Sequence, residues 1–165
     1  MNILRPATEN DLLLLYEWAN DATTRRMSFH SERIDPDTHA MWFRRKLSDN
    51  DCYFYILEHD GTPAGTGRLD REPHSGDVLK ENGQEDLSSS GFSISYSIAP
   101  AFRGKGLGEV LLSLLFEEAE KSVPEAGVLI GEVKKENEAS IRCFEKAGFT
   151  LEDSRPDSLI FCRRI

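Results

Sequence analysis

Hydrophobic residues recur at helical spacing in two segments of the chain. A spacing of three and four residues puts such positions on one face of a helix, the face that packs on a core. The first segment begins at Thr8, a capping signal, and its apolar positions are Leu12, Leu15, Tyr16 and Ala19. The second follows a glycine-rich run, and its stripe consists of Leu107, Val110, Leu111, Leu114 and Leu115. We predict amphipathic helices that end at Asn20-Asp21 and at Val123-Pro124.

Capping signals predict two further helices. Asp35-Pro36 combines an N-cap residue with proline at the first helical position, and this helix runs to about Leu47. Asn137 opens the last helix, which closes at Ala147-Gly148 because glycine accepts the left-handed conformation that ends many helices.

Aromatic and β-branched segments predict the strands. They cover residues 2–5, 52–58, 62–69, 92–98, 128–133, 149–151 and 159–163. Asp60-Gly61 is a hairpin turn signal. The element order is βααββ followed by βαβαββ. It predicts one domain over residues 1–165 with an α+β fold of mixed layers, in which about four helices flank a mostly antiparallel twisted sheet.

Residues 71–90 form a polar excursion between two predicted strands, with a net charge of −3. Loops of this length are usually functional or mobile. The composition is compatible with an extended hairpin tip or flap, and equally with a disordered insertion.

Charge and composition narrow the partners and the compartment. The net charge of −9 and the pI near 5.0 argue against nucleic acid as the main partner. No apolar run has the length of a membrane helix and the N-terminus carries no signal peptide, so we expect a cytoplasmic protein without a membrane partner. The cysteines Cys52, Cys143 and Cys162 form no CxxC pair, which suits free thiols in a reducing compartment. We expect no metal site, and a homodimer is compatible with the sequence.

The run Arg103-Gly104-Lys105-Gly106-Leu107-Gly108 lies between a predicted strand and the clearest helix. Glycines let the backbone approach a ligand, and a helix N-terminus favours an anion. A P-loop would need Ser or Thr directly after Gly-Lys, and a dinucleotide fingerprint would need its third glycine at the position of Glu109. The spacing therefore predicts a different cofactor that carries phosphate.

The run resembles the cofactor loop of the GNAT acyltransferases, whose pattern is matched by Arg103, Gly106 and Gly108. Ile98-Ala99-Pro100 before it and residues 137–149 after it also match the family. Together the two blocks cover about a third of the chain, and the element order fits over its whole length. The resemblance implies the GNAT fold and acetyl-CoA as cofactor.

The resemblance also implies roles for particular residues. Backbone N–H groups of Arg103, Gly104, Lys105, Gly106, Leu107 and Gly108 would bind the CoA pyrophosphate. The amide of Ile98 would polarise the thioester carbonyl where strand 92–98 splays from strand 128–133, and Asn137 would contact the pantetheine. An amine would attack the thioester directly, so Cys143 is not needed as a nucleophile.

One position departs from the family pattern. Many relatives have a tyrosine that protonates the departing thiolate where this chain has Phe144, whose ring cannot donate a proton. Phe144 can still pack against the cofactor arm. A water, Tyr96 or Cys143 remains open as the acid, as does a step without acid assistance. The candidate bases are Glu132, Ser95 acting through a water, and His39, although Glu132 could equally be a solvated strand residue and His39 a packing residue.

The N-terminal half is expected to shape the acceptor site. It resembles the GNAT branch that acetylates nucleotide-linked amino sugars, as in pseudaminic acid synthesis, and protein N-terminal acetyltransferases of the ribosomal-protein type begin similarly. Arg25 and Arg26 would hold a diphosphate, and His39 belongs to the same set. Trp18 and Trp42 would stack on a sugar or base, or else be core residues. Three hypotheses about the function stay open. The protein could acetylate a small amine such as an amino-sugar nucleotide, it could acetylate a protein N-terminus, or it could be a CoA-binding module without turnover.

Overall fold

A computed structural model describes residues 1–73 and 90–165. The predicted flap or insertion at 71–90 lies almost entirely outside these residues. Within them the strands are β1 (Asn2–Pro6), β2 (Cys52–His59), β3 (Thr62–Arg71), β4 (Ser90–Ile98), β5 (Ala126–Lys134), β6 (Thr150–Ser154) and β7 (Ser158–Arg164). The α-helices are α1 (Leu12–Ala19), α2 (Ala22–Met27), α3 (Pro36–Ser48), α4 (Leu107–Ser122) and α5 (Glu138–Lys146).

The strands form one sheet in the order β1-β2-β3-β4-β5-β7-β6. Neighbours are antiparallel except for β4 and β5, which run parallel. The helices α4 and α5 pack on one face, and α1 and α3 pack on the other. The predicted α+β fold is confirmed.

The parallel strands β4 and β5 pair over only part of their length. Its paired residues run from Ser90 to Ser93 on β4 and from Ala126 to Ile130 on β5, with a register shift at Ser90/Gly91. The rest of each strand continues beyond this pairing, so a gap opens between them. On the other side of β4, the Ala99 N–H donates to the Ala64 carbonyl at 2.8 Å, in register with the antiparallel β3–β4 ladder. Because such ladders alternate, the backbone groups that face the gap belong to Ile94, Tyr96 and Ile98.

The larger core lies between the sheet and helices α4 and α5. Of the predicted α4 stripe, Leu111 and Leu115 have no accessible surface, while Val110 and Leu114 are only half-buried; Leu112, which the prediction left out, is fully buried too. On the opposite face, α1 and α3 cover β2 with a second cluster that includes Leu15, Trp18, Phe43, Phe54 and Ile56. The sheet thus separates two chemically distinct faces, and the β4–β5 gap connects them.

Local signals confirm most of the predicted boundaries. Asp60 and Gly61 both have positive φ, 48° and 80°, as a two-residue hairpin turn requires. Thr8 and Asp11 form the expected capping box, although the first turn is a 3-10 turn at Glu9–Asp11. Helix α5 is followed by Gly148 at φ 81°. None of the helices in the described ranges is long and apolar enough to cross a membrane.

Helix α2 is absent from the sequence prediction, which treats Asn20-Asp21 only as the end of the first helix. The Asp21 carboxylate in fact caps a new helix, accepting from the Thr24 N–H at 3.1 Å. With six residues and no buried side chain, α2 is too short to show an apolar stripe.

Candidate active site

The glycine-rich run forms the entrance to helix α4. Gly104 and Gly106 both have φ of 75°, a conformation that L side chains rarely adopt, and Gly106 is the N-cap of the helix. The N–H groups from Gly104 to Gly108 donate to no acceptor within residues 1–73 and 90–165. This backbone therefore presents consecutive donors at a helix N-terminus, which suits an anion.

Gly108 lets α4 approach α5. A Cβ added at this position would lie 2.7 Å from the Cys143 Sγ and 3.5 Å from the Tyr96 ring. Only glycine leaves these neighbours undisturbed, so the third glycine of the run serves packing between the two helices.

A cleft of about 470 Å³ opens beside this loop, and we call it the donor cleft. Three cationic side chains line it, Arg103, Arg142 and Lys146, together with one acid, Glu109. Asn137 and Ile98 also line it. Its lining therefore combines backbone donors with an excess of positive charge.

The side chains of the two expected cations do not both point to the anion site. Arg103 donates to the Asp21 carboxylate at 2.6 Å and to the Thr24 hydroxyl at 3.1 Å, so it ties the loop to α2. The same contact lowers the pKa of Asp21. The Lys105 ammonium lies 5.2 Å from the centre of the Phe102 ring, and Lys105 is not among the described residues that line the donor cleft.

A second cleft of about 950 Å³ lies largely on the α1–α3 face of the sheet, and we call it the acceptor cleft. Several residues line both clefts, which shows that the two spaces meet at the β4–β5 gap: Thr24, Met27, Ser28, Tyr96, Ser97, Asn137 and Ser140.

All three candidate bases line the acceptor cleft, and two of them, Ser95 and Glu132, lie on the strands beside the gap. Ser95 on β4 is exposed there, and Glu132 extends from β5. The Glu132 Oε1 accepts from the buried Ser158 hydroxyl at 2.7 Å and from Arg155 at 3.4 Å. Its Oε2 accepts from no donor in the described parts of the chain. Glu132 is thus held by the β6–β7 hairpin with one oxygen left for a ligand.

His39 lines the acceptor cleft but is almost entirely buried. It is 3% exposed, and its ring centre lies 5.4 Å from that of Tyr16 and 5.7 Å from that of Trp42. Burial lowers its pKa, against a hydrogen bond to the Leu12 backbone that acts to raise it. The Nε2 is inaccessible and has no partner among the described residues. His39 could contact an amine only after local rearrangement, so the packing interpretation describes it better.

Phe144 and Tyr96 occupy the other side of the gap. Phe144 is 2% exposed and packs on the rings of Tyr96, Phe149 and Phe161. Gly131 makes room for it, because a Cβ there would lie 2.4 Å from the Phe144 ring. Phe144 lines the acceptor cleft and is not among the described residues of the donor cleft, where the resemblance had placed it.

Arg25 lines the acceptor cleft, but its guanidinium is engaged within the protein. It donates to the backbone carbonyls of Ala19 at 2.6 Å and His30 at 2.8 Å, and to the Ser28 hydroxyl at 3.3 Å. It therefore holds the segment after α2 in place instead of presenting an open fork to a diphosphate. Arg26 is exposed and does not belong to the described lining of either cleft; its carbonyl accepts from Lys134 at 3.0 Å.

Both aromatic candidates line the acceptor cleft, but they differ in burial. Trp18 is 8% exposed and belongs to the core under α1. Trp42 is half-buried, and the Arg68 guanidinium lies 4.9 Å from its ring centre. Arg68 also donates to Asp70 at 2.5 Å, and Lys46 donates to the same carboxylate at 2.6 Å. Burial acts to raise the Asp70 pKa, but these two cations outweigh it and the pKa is lowered.

Sequence reasoning misses several cationic residues of the acceptor cleft. Arg33, Arg45 and Arg68 line it, and each comes from a different element or connection. No motif links them, because their proximity arises only from the fold.

The sequence does contain a signal for helix α2, which the prediction missed. Asp21 lies three residues before Thr24, and this is the spacing between an N-cap residue and the N–H group that it caps.

Comparison with known proteins identifies the family. A family model described as an acetyltransferase (GNAT) domain matches residues 2–150. The L-methionine sulfoximine/L-methionine sulfone acetyltransferase of Salmonella typhimurium is 39% identical over 157 residues, which are 93% of this chain and 82% of the relative. The aminoglycoside N(6')-acetyltransferase type 1 of Klebsiella pneumoniae is 31% identical over 154 residues, which are 88% of this chain and 72% of the relative.

Solved structures agree with the sequence relatives. The aminoglycoside acetyltransferase AAC(6')-Ib in complex with paromomycin and acetyl-CoA superimposes with a TM-score of 0.81 at 26% identity, over 99% of this chain and 93% of that one. The chain therefore belongs to the GNAT acetyltransferase family, and the predicted enzyme class, an N-acetyltransferase with acetyl-CoA as its cofactor, is confirmed.

Proposed function

We propose that this enzyme acetylates the primary amine of a small molecule that also carries an anionic group. Amino acids and nucleotide-linked amino sugars both belong to this class of acceptor. The observation that carries the proposal is the charge of the acceptor cleft. Its lining has five cationic side chains, Arg25, Arg33, Arg45, Arg68 and Lys134, against three acidic ones, Glu32, Asp35 and Glu132. Arg25 and Arg68 are already engaged within the protein, so the proposal rests mainly on Arg33 and Arg45.

This local excess of positive charge stands out in a chain whose net charge is −9. A cleft with an excess of one sign of charge concentrates ligands of the opposite sign. A polycationic acceptor such as an aminoglycoside would be repelled by the same lining, whereas a carboxylate or phosphate would be attracted. The exposed side chains of Arg33 and Arg45 favour contact with the anionic end of the acceptor.

The relatives support a choice between acceptor classes. The Salmonella relative is named for L-methionine sulfoximine and L-methionine sulfone, which carry a carboxylate beside the amine. The Klebsiella relative is named for aminoglycosides, which carry several amines and no carboxylate. The cationic lining favours the first kind of acceptor for this chain.

The donor side of the proposal rests on the loop before α4. The N–H groups from Gly104 to Gly108 bind the pyrophosphate, and Arg142 and Lys146 neutralise phosphate charge from the opposite wall. Asn137 contacts the pantetheine as the arm passes towards the β4–β5 gap. The Ile98 N–H faces that gap and polarises the thioester carbonyl; one such donor contributes roughly 2.7–4 kcal/mol at a developing oxyanion.

The acceptor side supplies the base. Glu132 accepts a proton from the attacking amine through Oε2, while Ser158 and Arg155 hold Oε1. Ser95 lies in the same cleft and orients a water between the amine and Glu132. The neutral amine attacks the carbonyl carbon, the tetrahedral intermediate collapses, and the C–S bond breaks.

The test is a panel of amines assayed with acetyl-CoA at constant ionic strength. The panel contains L-methionine sulfone, a UDP-linked amino sugar, kanamycin, spermidine and a short peptide with a free N-terminus. We expect kcat/KM to be highest for one of the first two. Preference for kanamycin or spermidine would overturn the anionic-acceptor proposal, and preference for the peptide would assign a protein N-terminus instead.

Charge reversal provides the matched test. The double variant Arg33→Glu/Arg45→Glu should raise KM for the best anionic acceptor by about tenfold or more, since two charge contacts are lost and replaced by repulsion. Arg44→Glu is the control, because Arg44 neighbours Arg45 in sequence but pairs with Glu9 away from the cleft. An equal effect of both variants would contradict the assignment of Arg33 and Arg45.

A further inference from the structure

Tyr96 stands where the two clefts meet. It lies on β4, two residues before Ile98, and it lines both the donor and the acceptor cleft. Its backbone faces the β4–β5 gap, and its ring lies on the α4–α5 side of the sheet. Its hydroxyl is 2.9 Å from the Ser140 Oγ on α5, and Ser140 also lines both clefts. A hydroxyl pair is therefore fixed beside the gap into which the thioester must extend.

The neighbours of Tyr96 keep its hydroxyl protonated. Burial raises the pKa of Tyr96 strongly, and the nearby Cys143 adds to the rise, while the hydrogen bond with Ser140 opposes it. The ring also meets Phe144 edge to face, with centres 5.7 Å apart. Tyr96 thus places a neutral phenol hydroxyl next to the ring of Phe144, which has no hydroxyl.

The reaction needs a proton at this place. When the C–S bond breaks, the electron pair leaves with sulfur, and CoA departs as a thiolate unless a donor protonates it. Phe144 has no donor atom. Cys143 lines the donor cleft but is not among the described residues of the acceptor cleft, and its Sγ lies beside Gly108, whereas Tyr96 lines both clefts.

We propose that Tyr96 is the general acid of this enzyme, replacing the hydroxyl that position 144 lacks. Resting on the acetyl transfer proposed above, Tyr96 gives its proton to the CoA sulfur as the C–S bond breaks. Ser140 donates a hydrogen bond to the resulting phenolate, which regains a proton through Ser140 from water in the donor cleft. Glu132 releases the amine proton to solvent, so amine and acetyl-CoA become amide and CoA thiol with all protons accounted for.

The experiment is Tyr96→Phe, which removes one oxygen and keeps the ring packing on Phe144. We expect kcat to fall by about 10²-fold, the usual size of general acid assistance, with KM for acetyl-CoA changed less than about threefold. The solvent deuterium isotope effect on the single-turnover rate should decrease, because the transferred proton is no longer in flight. Ser140→Ala should give a smaller loss in kcat of about threefold to tenfold, since it removes one hydrogen bond.

Tyr53→Phe is the matched control. Tyr53 packs on Phe92 in the same core but belongs to neither cleft among the described residues, so its loss should leave both kinetic parameters unchanged. A kcat for Tyr96→Phe within about threefold of wild type, or a loss confined to KM, would overturn the proposal.

The assay amine is whichever panel member the wild-type enzyme acetylates best. If that amine is a polycation, the acceptor proposal fails while Tyr96 is still tested in full. If the wild-type enzyme acetylates an anionic amine and Tyr96→Phe does so equally well, the acid assignment alone fails.

Discussion

The donor and acceptor clefts share seven lining residues, but their main features come from different parts of the chain. The donor cleft depends on the backbone N–H groups of one continuous run, Gly104 to Gly108, with support from α5; the Arg103 N–H, predicted to belong to this set, donates to the Pro100 carbonyl at 3.4 Å instead. The acceptor cleft depends on side chains from four helices and four strands that are scattered over more than a hundred residues. In the proposed function, the donor cleft recognises its ligand mainly through main-chain donors, and the acceptor cleft does so mainly through charge and shape.

This difference explains how relatives can share a donor and differ in acceptor. Backbone donors at a helix N-terminus require glycines at fixed spacing, so the sequence of the loop is strongly constrained. Side chains such as Arg33 and Arg45 can change without disturbing an element. The relatives at 31% and 39% identity are accordingly named for different amines.

The largest loss of activity is expected from replacing Glu132, which lies beside the gap where the two clefts meet. Glu132→Gln removes the proposed base and preserves the side-chain shape, including an acceptor for the Ser158 hydroxyl. We expect kcat to fall by about 10²–10⁴-fold, the usual range for a lost general base. The dissociation constant of acetyl-CoA, measured by titration calorimetry, should change by less than about twofold because the donor cleft is untouched.

Glu120→Gln is the control for the loss of one negative charge, because Glu120 is exposed on α4 away from both clefts. It should leave kcat unaffected. A Glu132→Gln enzyme with nearly normal kcat would move the base to Ser95 and its water. If the Glu132→Gln variant bound acetyl-CoA more weakly by a factor similar to its loss of kcat, the two clefts would not function independently.

A smaller and donor-specific effect is expected from Gly108→Ala. The added Cβ would lie 2.7 Å from the Cys143 Sγ, so α4 and α5 must shift where they line the donor cleft. Overpacking of this kind costs about 1–3 kcal/mol. We expect KM for acetyl-CoA to rise about tenfold while KM for the amine stays nearly constant.

The double variant Gly108→Ala/Cys143→Ala tests the cause. Removing the sulfur makes room for the added methyl group, so most of the donor affinity should return. Gly61→Ala is the control for an added methyl group that meets no neighbour, because nothing lies within 4 Å of a Cβ there; since Gly61, unlike Gly108, has a positive φ, this change should lower stability but leave both KM values alone. Failure of the double variant to recover would place the defect in the loop backbone instead of the helix contact.

The fold was largely predictable because its signals are local. The α4 stripe, the Asp60-Gly61 turn and the Gly148 cap each follow from a few neighbouring residues, and the structure confirms all three. Helix α2 was missed because six residues with no buried side chain give no periodic signal.

The two clefts also differ in how far their residues could be predicted from the sequence. The spacing of the glycine run predicted a loop for a cofactor that carries phosphate, since backbone geometry constrains sequence directly, and the resemblance to the family added acetyl-CoA. The acceptor residues could not be assigned, because residue type does not reveal what a side chain contacts. Arg25 is bonded to backbone carbonyls, and His39 is buried under Trp42, although both have the chemistry expected of a site. Arg68 could be recognised as a cleft residue only from the structure, which places it beside Trp42.

The smallest effect, and one shared by both clefts, is expected from Asp21→Ala. Asp21 caps α2 and pairs with Arg103, and α2 residues line both clefts. Losing the cap costs about 1 kcal/mol, and the part-exposed ion pair adds less than that. Both KM values should therefore rise together by about threefold, with a loss in Tm of about 2–4 °C.

Asp21→Asn separates the two contributions, because asparagine can still cap α2 but has no charge for Arg103. Arg103 lowers the Asp21 pKa in the folded state, so this stabilisation is present above the unfolded pKa of about 3.9 and is lost as pH falls further. The stability difference between wild type and Asp21→Asn should accordingly be full at pH 7 and shrink below pH 4, as measured by urea unfolding. A rise in only one KM, for either variant, would mean that α2 belongs to one cleft and does not couple the two.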